Sequence, residues 1–218
     1  MPESIATTPR RGRPGYDLAS LLRVAVEVFN ERGYDGTSME DLAARLGITK
    51  SSIYHHVPGK AELLRLAVDR ALDALFAVTA EPGATTGPAI DRLEHVVRRS
   101  VQVLVAELPY VTLLLRVRGN TPVERAALRR RRDFDRIVSQ LVAEAEEAGD
   151  VRPDVDPALT SRLLFGLVNS LTEWYRPDGG RAGPDLADAV VRIAFDGLRR
   201  QRGDRDRSET GVRPAPPG

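Results

Sequence analysis

The chain has 218 residues, of which 42% are hydrophobic and 29% charged, with no cysteine and a formal net charge of +1. Such a composition describes a folded protein of one or two domains. It excludes a disordered chain, a disulfide framework and a cysteine-based zinc site. A net charge so near zero also excludes a generally basic protein that coats nucleic acid, so affinity for a polyanion has to come from local charge placement.

Residues 1–15, MPESIATTPRRGRPG, show no periodicity and read as a flexible basic arm. Its R-G-R-P core, with Arg11 and Arg13, resembles the AT-hook motif, whose extended backbone enters a narrow minor groove. From 18 to 32, Leu18, Leu21, Leu22, Ala25 and Phe29 mark one helical face, and Gly33 closes it. The next stretch, 37–60, carries the strongest signal in the chain. Thr37 as N-cap with Glu40 three residues on forms a capping box, and Met39, Leu42, Ala43 and Leu46 then make an apolar face. Gly47 supplies a left-handed stop, and Thr49 can cap a second short helix held inside by Ile53 and Val57. Lys50, Ser51, Ser52, Tyr54, His55 and His56 are left facing outward. Helix, glycine turn and helix, with a narrow core side and a polar outer side, is the layout of a helix-turn-helix reader of DNA. The only two lysines of the chain, Lys50 and Lys60, both fall in this stretch.

A longer helix runs from Lys60 to about residue 80 and can act as a lever on the reader. Residues 81–87, EPGATTG, read as a break. Helices follow at about 88–107, 109–118 and 121–148. The last is announced by Thr121-Pro122-Val123-Glu124, which combines an N-cap, Pro at the first position and Glu at the third. Two more span about 157–176 and 183–200. Residues 202–218 are polar and Pro-rich and are expected to be disordered. Nowhere does strand alternation persist, so the expectation is an all-α chain of nine helices. It divides into a helix-turn-helix domain at 16–62 and a six-helix ligand-binding and dimerisation domain at 63–201. The absence of a long apolar run and of a signal-peptide core is read as a cytoplasmic protein with no membrane partner.

The string GITKSSIYHHVPGKAEL, residues 47–63, resembles the recognition segment of the TetR family of bacterial transcriptional regulators. Gly47, Thr49, Ser51, Tyr54, His55, His56, Lys60 and Glu62 carry the likeness, and AVEVFNERGYDGTSMEDLAARLG upstream is similar to the family's first two helices. The resemblance implies three helices for DNA and six for the rest. It also implies a homodimer that reads a palindromic operator on double-stranded DNA and a small-molecule effector that acts on repression. On this reading Tyr54 and His55 reach phosphates or base edges. Thr49, Lys50, Ser51 and Ser52 make polar contacts near the helix N-terminus, and Thr37 and Lys60 clamp phosphates on either side.

In the last two helices, Leu163, Leu167 and Leu171, with Val190, Ile193, Ala194 and Leu198, form stripes. They serve either an intrachain core or, as the resemblance implies, a four-helix dimer interface. The resemblance also implies a ligand cavity, for which Leu114, Arg116, Phe134, Phe165, Asn169 and Trp174 are the candidates. The run Arg129 to Arg132 is a solvated face or a phosphate contact. VNSLTEWYRPDG, residues 168–179, is similar to the matching helix of family members that sense acyl-CoA or aryl-CoA thioesters.

Of the three histidines, His55 and His56 are adjacent on one helix and cannot share a metal; no catalytic motif occurs, so neither an enzyme nor a cofactor is expected. A reading from another class, an α-helical ligand carrier or protein-interaction protein with the helix-turn-helix as scaffold only, is separated from the first by whether the chain binds DNA.

Overall fold

In a computed structural model, residues 17–177, 179 and 183–198 are described. The arm with Arg11 and Arg13, and the tail at 202–218, lie outside them. Among the described residues there are ten helices and no strand, so the chain is all-α. It divides between Leu66 and Ala67 into two compact units.

The first unit holds α1 (Leu18–Arg32), α2 (Met39–Leu46), α3 (Lys50–Tyr54) and the start of α4 (Lys60–Thr79). Asp17 caps α1 by accepting from the Ser20 N–H at 2.8 Å. The cap of α2 is Ser38 rather than Thr37. Ser38 Oγ accepts from Asp41 N at 3.1 Å, and Asp41 Oδ2 accepts from Ser38 N at 2.8 Å. Both Thr37/Glu40 and Ser38/Asp41 have capping-box spacing, and tertiary partners decide between them. The Thr37 hydroxyl donates inward to the Gly33 carbonyl at 2.7 Å, while Glu40 pairs with Lys50. Gly47 adopts φ 67°, and its N–H closes α2 onto the carbonyls of Ala43 and Ala44. Leu21, Phe29, Leu42, Ile53, Leu63 and Leu64 are fully buried in this unit, with α1 packed on α2 and α2 on α3.

The second unit continues α4 and adds α5 (Pro82–Thr85), α6 (Ala89–Ala106), α7 (Leu108–Arg116), α8 (Pro122–Glu147), α9 (Pro157–Trp174) and α10 (Gly183–Leu198). Helix α6 is its axis and packs on α5, α7, α8, α9 and α10. The core runs through Leu93, Val97 and Val101 of α6, Phe134 and Val138 of α8, Leu164, Val168 and Leu171 of α9, and Leu186, Val190 and Phe195 of α10. Thr121 and Glu124 form the expected capping box on α8.

The tenth helix is the short α5, in the segment expected to be a break. It forms because Glu81, its N-cap, is anchored from outside. The Glu81 carboxylate accepts from Arg99 Nε and Nη2 at 2.9–3.0 Å and sits 2.7 Å from His95 Nε2. The arginine foremost holds this carboxyl below its ordinary value. Gly83 is required beneath the histidine, since a Cβ there would stand 2.5 Å from the ring nitrogen.

Candidate nucleic-acid interface and ligand chamber

Helix α3 has too few residues to be stable alone and is fixed at both ends. At its start Thr49 Oγ1 accepts from the Ser52 N–H at 3.3 Å and lies 2.9 Å from both the Ser51 and the Ser52 hydroxyls. On its inner side Ile53 and, just beyond, Val57 are buried. Fixing that side turns Lys50, Ser51, Tyr54, His55 and His56 outward, with Tyr54 49% exposed and Ser52 half-buried. The candidates from Thr49 to His55 therefore share one short segment.

The Lys50 ammonium is ion-paired with Glu40 of α2, which holds it above its ordinary value. Arg45 pairs with Glu31 and Arg32 with Asp41. Exposed pairs of this kind contribute at most about 1 kcal/mol, so a phosphate can replace the carboxylate at little cost. Thr37 and Lys60 are placed differently from the outward set. Lys60 Nζ donates to the carbonyls of Tyr34 and Thr37 at 3.0 and 2.9 Å and lies 4.5 Å from the Tyr34 ring centroid. Together they tie the first turn of α4 to the loop before α2. Tyr34 was not among the sequence candidates; its position in a Gly-Tyr-Asp-Gly loop carried no helical or charge signal.

In the second unit a chamber of about 50 Å³ lies among α4, α6, α7, α8 and α9. Its wall is mostly apolar and includes Leu75, Leu114, Leu115, Phe134, Phe165 and Val168, with Ser100, Arg131, Asp135 and Asn169 as polar members. Phe134 stands between Phe76 and Phe165 in edge-to-face contacts at 5.7 and 5.2 Å. Burial pushes the Asp135 carboxyl above the usual carboxylate range, and Arg131 and Arg162 pull it back in part.

Of the six expected ligand residues, the chamber brings together Leu114, Phe134, Phe165 and Asn169. Arg116 is exposed at the end of α7, and Trp174 is 54% exposed at the end of α9; neither lines the chamber. The four-arginine run of α8 splits by azimuth. Arg131 joins the chamber wall, whereas Arg130 reaches Asp69 and Asp73 of α4 at 3.0 and 2.5 Å. A larger, open groove of about 610 Å³ borders α4, α6 and α8, but its Arg92 and Arg136 are already paired with Glu144 and Asp133.

Helices α9 and α10 leave large apolar side chains in water. Leu159, Leu163 and Trp174 on α9 are 47%, 62% and 54% exposed, and Ile193 on α10 is 70% exposed. Leu167 completes the α9 stripe, Gly166 and Gly197 add open backbone, and Ala194 and Leu198 are half-buried. Leu171 and Val190 of the expected stripe instead belong to the unit's own core. Large apolar side chains exposed together on two packed helices are the kind of surface that marks an interaction site.

A polar, core-anchored α3 after a glycine turn, followed by an all-helical unit with an inner chamber, agrees with two family models. Residues 21–67 match that of the bacterial regulatory proteins of the tetR family, and residues 86–198 match the tetracyclin repressor-like C-terminal domain. The chain belongs to the TetR family of transcriptional regulators.

A crystal structure of SCO3833 from Streptomyces coelicolor, a member of the same family, is 61% identical, with a TM-score of 0.78 over 83% of this chain and 91% of that one. The transcriptional repressor KstR2 of Mycolicibacterium smegmatis is 24% identical over 201 residues, covering 88% of this regulator and 96% of that repressor. The fold is shared with AibR, solved with isovaleryl coenzyme A and operator DNA, at 24% identity and a TM-score of 0.70 over 81% of this chain and 97% of that one. Membership of this family makes the helix-turn-helix a DNA reader and not a bare scaffold, and places the chain among transcriptional regulators. Among the described residues, no group of three potential ligands could hold a metal ion, and no helix is long and apolar enough to cross a membrane.

Proposed function

We propose that this regulator is a homodimer that represses transcription from a palindromic operator and is released by a small molecule entering the chamber of its second unit. One observation carries the reading. Helix α4 contributes Ala71 and Leu75 to the chamber wall, and the same helix begins at Lys60, which is tied to the loop before α2. At about 50 Å³ the chamber is smaller than most effectors, so a ligand must spread its walls, α4 among them. A ligand that binds the spread form better draws the population away from the closed one, which is the requirement for release.

The dimer is proposed to form through the exposed faces of α9 and α10, with Leu163, Leu167 and Ile193 at the contact and Leu171, Val190, Ala194 and Leu198 behind or beside them. Two copies of a short reading helix then meet two half-sites about one helical turn apart. Lys50, Ser51, Tyr54 and His55 are proposed to contact phosphates and base edges.

For the ligand we propose an acyl- or aryl-CoA thioester. The apolar wall takes the acyl group, and the half-exposed Arg131 is placed to meet an anionic part. Titration of the protein with isovaleryl-, octanoyl- and phenylacetyl-CoA should raise the melting temperature and lower affinity for operator DNA, with the free acids much weaker. A ligand at a hundred times its Kd adds about 2.7 kcal/mol to the native state. If all three thioesters left both quantities unchanged, the thioester assignment would be abandoned for an uncharged apolar effector.

A further inference from the structure

Ser100 follows Arg98 and Arg99 on α6, lies on the buried face that carries Val96, Val97, Val101 and Leu104, and is 2% exposed. Its hydroxyl has no partner in the protein. A serine or threonine inside a helix ordinarily returns its hydroxyl to a carbonyl three or four residues back. Thr112 does so to Leu108 at 2.7 Å, Ser139 to Asp135 at 2.8 Å, Ser170 to Leu167 at 2.7 Å and Thr172 to Asn169 at 2.8 Å. Ser100 does not, and it is a member of the chamber wall. The Thr160 hydroxyl is also without a partner, but that residue does not line the chamber. A buried hydroxyl left unpaired weakens the fold, whereas alanine would fill the same place without that penalty.

We infer that Ser100 is a specificity-determining residue of the chamber, whose hydroxyl donates to an acceptor on the buried part of the ligand, so that the effector is an apolar molecule carrying a carbonyl there and not a plain hydrocarbon. This deepens the chamber reading above and rests on it. The acceptor is neutral, because the inner face of α6 around Ser100 carries Val96, Val97, Val101, Val103 and Leu104, while the adjacent Arg98 and Arg99 are already paired with Asp188 and Glu81. Charged portions of the ligand belong nearer Arg131. In a CoA thioester the carbonyl next to sulfur meets this description, and its thioether counterpart, with a methylene at that position, does not.

The test uses isovaleryl-CoA and octanoyl-CoA, each with its thioether analogue, on the full chain and on Ser100→Ala, read by calorimetric binding and by thermal melting without ligand. The native protein should bind each thioester about tenfold more tightly than its thioether. Ser100→Ala should bind the two members of a pair alike and, unliganded, should melt about 2–4 °C higher, the shift that relief of one unpaired hydroxyl gives in a chain of this size. Binding with the preference intact in Ser100→Ala overturns the assignment of Ser100 and leaves the chamber reading standing. A lower melting temperature for Ser100→Ala does the same, since it would show the hydroxyl already satisfied. Failure of all four compounds to bind the native protein overturns the thioester chamber itself, and this inference with it.

Discussion

A Tyr54→Ala variant should lose operator binding by about 10²–10⁴-fold while keeping its melting temperature and its dimeric state. Tyr54 is 49% exposed at the end of α3, whereas Ile53 beside it is fully buried. Removing the ring and hydroxyl therefore costs the fold no more than about 0.5 kcal/mol, as for other surface sites. In the proposed complex the hydroxyl meets a phosphate or base edge, and a hydrogen bond to a charged group contributes about 1.5–3 kcal/mol. A two-fold dimer loses that contact twice, which gives the range quoted. Fluorescence anisotropy on a labelled duplex reads the affinity, and circular dichroism reads the fold. Unchanged affinity with an intact fold would remove α3 from the interface. The comparison variant Ile53→Ala should fail differently, by about 2–5 kcal/mol of stability, because it empties a buried site.

The second large effect is on assembly. Glutamate at both Leu163 and Ile193 should convert the dimer to a folded monomer and abolish operator binding at concentrations where the native protein saturates. These side chains are 62% and 70% exposed in the single chain, so charges there leave its core untouched. Across a two-fold axis the same charges would be desolvated against their own copies, at a cost of several kcal/mol for each unpaired ion. Analytical ultracentrifugation distinguishes one chain from two. Leu171→Glu provides the contrast: Leu171 is 2% exposed within the unit's own core, and its loss should unfold the monomer. A double variant that remained dimeric would move the interface off α9 and α10.

Local chemistry made much of this architecture legible. Caps and stops act over three or four residues, so Asp156-Pro157, Thr121 with Glu124, and Gly47 announced their helix ends correctly. Where two readings were locally equivalent, distant partners chose. Ser38 caps α2 because Thr37 and Glu40 are occupied by Gly33 and Lys50. Helix α5 was unreadable because its anchors, His95 and Arg99, stand 14 and 18 residues beyond Glu81. The chamber followed the same division. Phe134, Phe165 and Asn169 stood out by type on their helices. Ser100 was hidden beside Arg98 and Arg99 in the mixed sequence of α6, and Arg131 in a run of four arginines whose fates depend on the azimuth of α8. On α9, apolar on more than one side, period alone could not say that Leu171 turns inward and Leu163 outward.

The central claim is that the segment from Ser38 to Lys60 reads DNA in duplicate. Footprinting of the purified protein on the DNA upstream of its own coding sequence, at low salt and with non-specific competitor, tests it most directly. The account predicts two protected half-sites related by a two-fold axis about one helical turn apart, occupied by two chains and lost steeply as salt rises. No protection above competitor, or a single asymmetric site held by one chain, would contradict it.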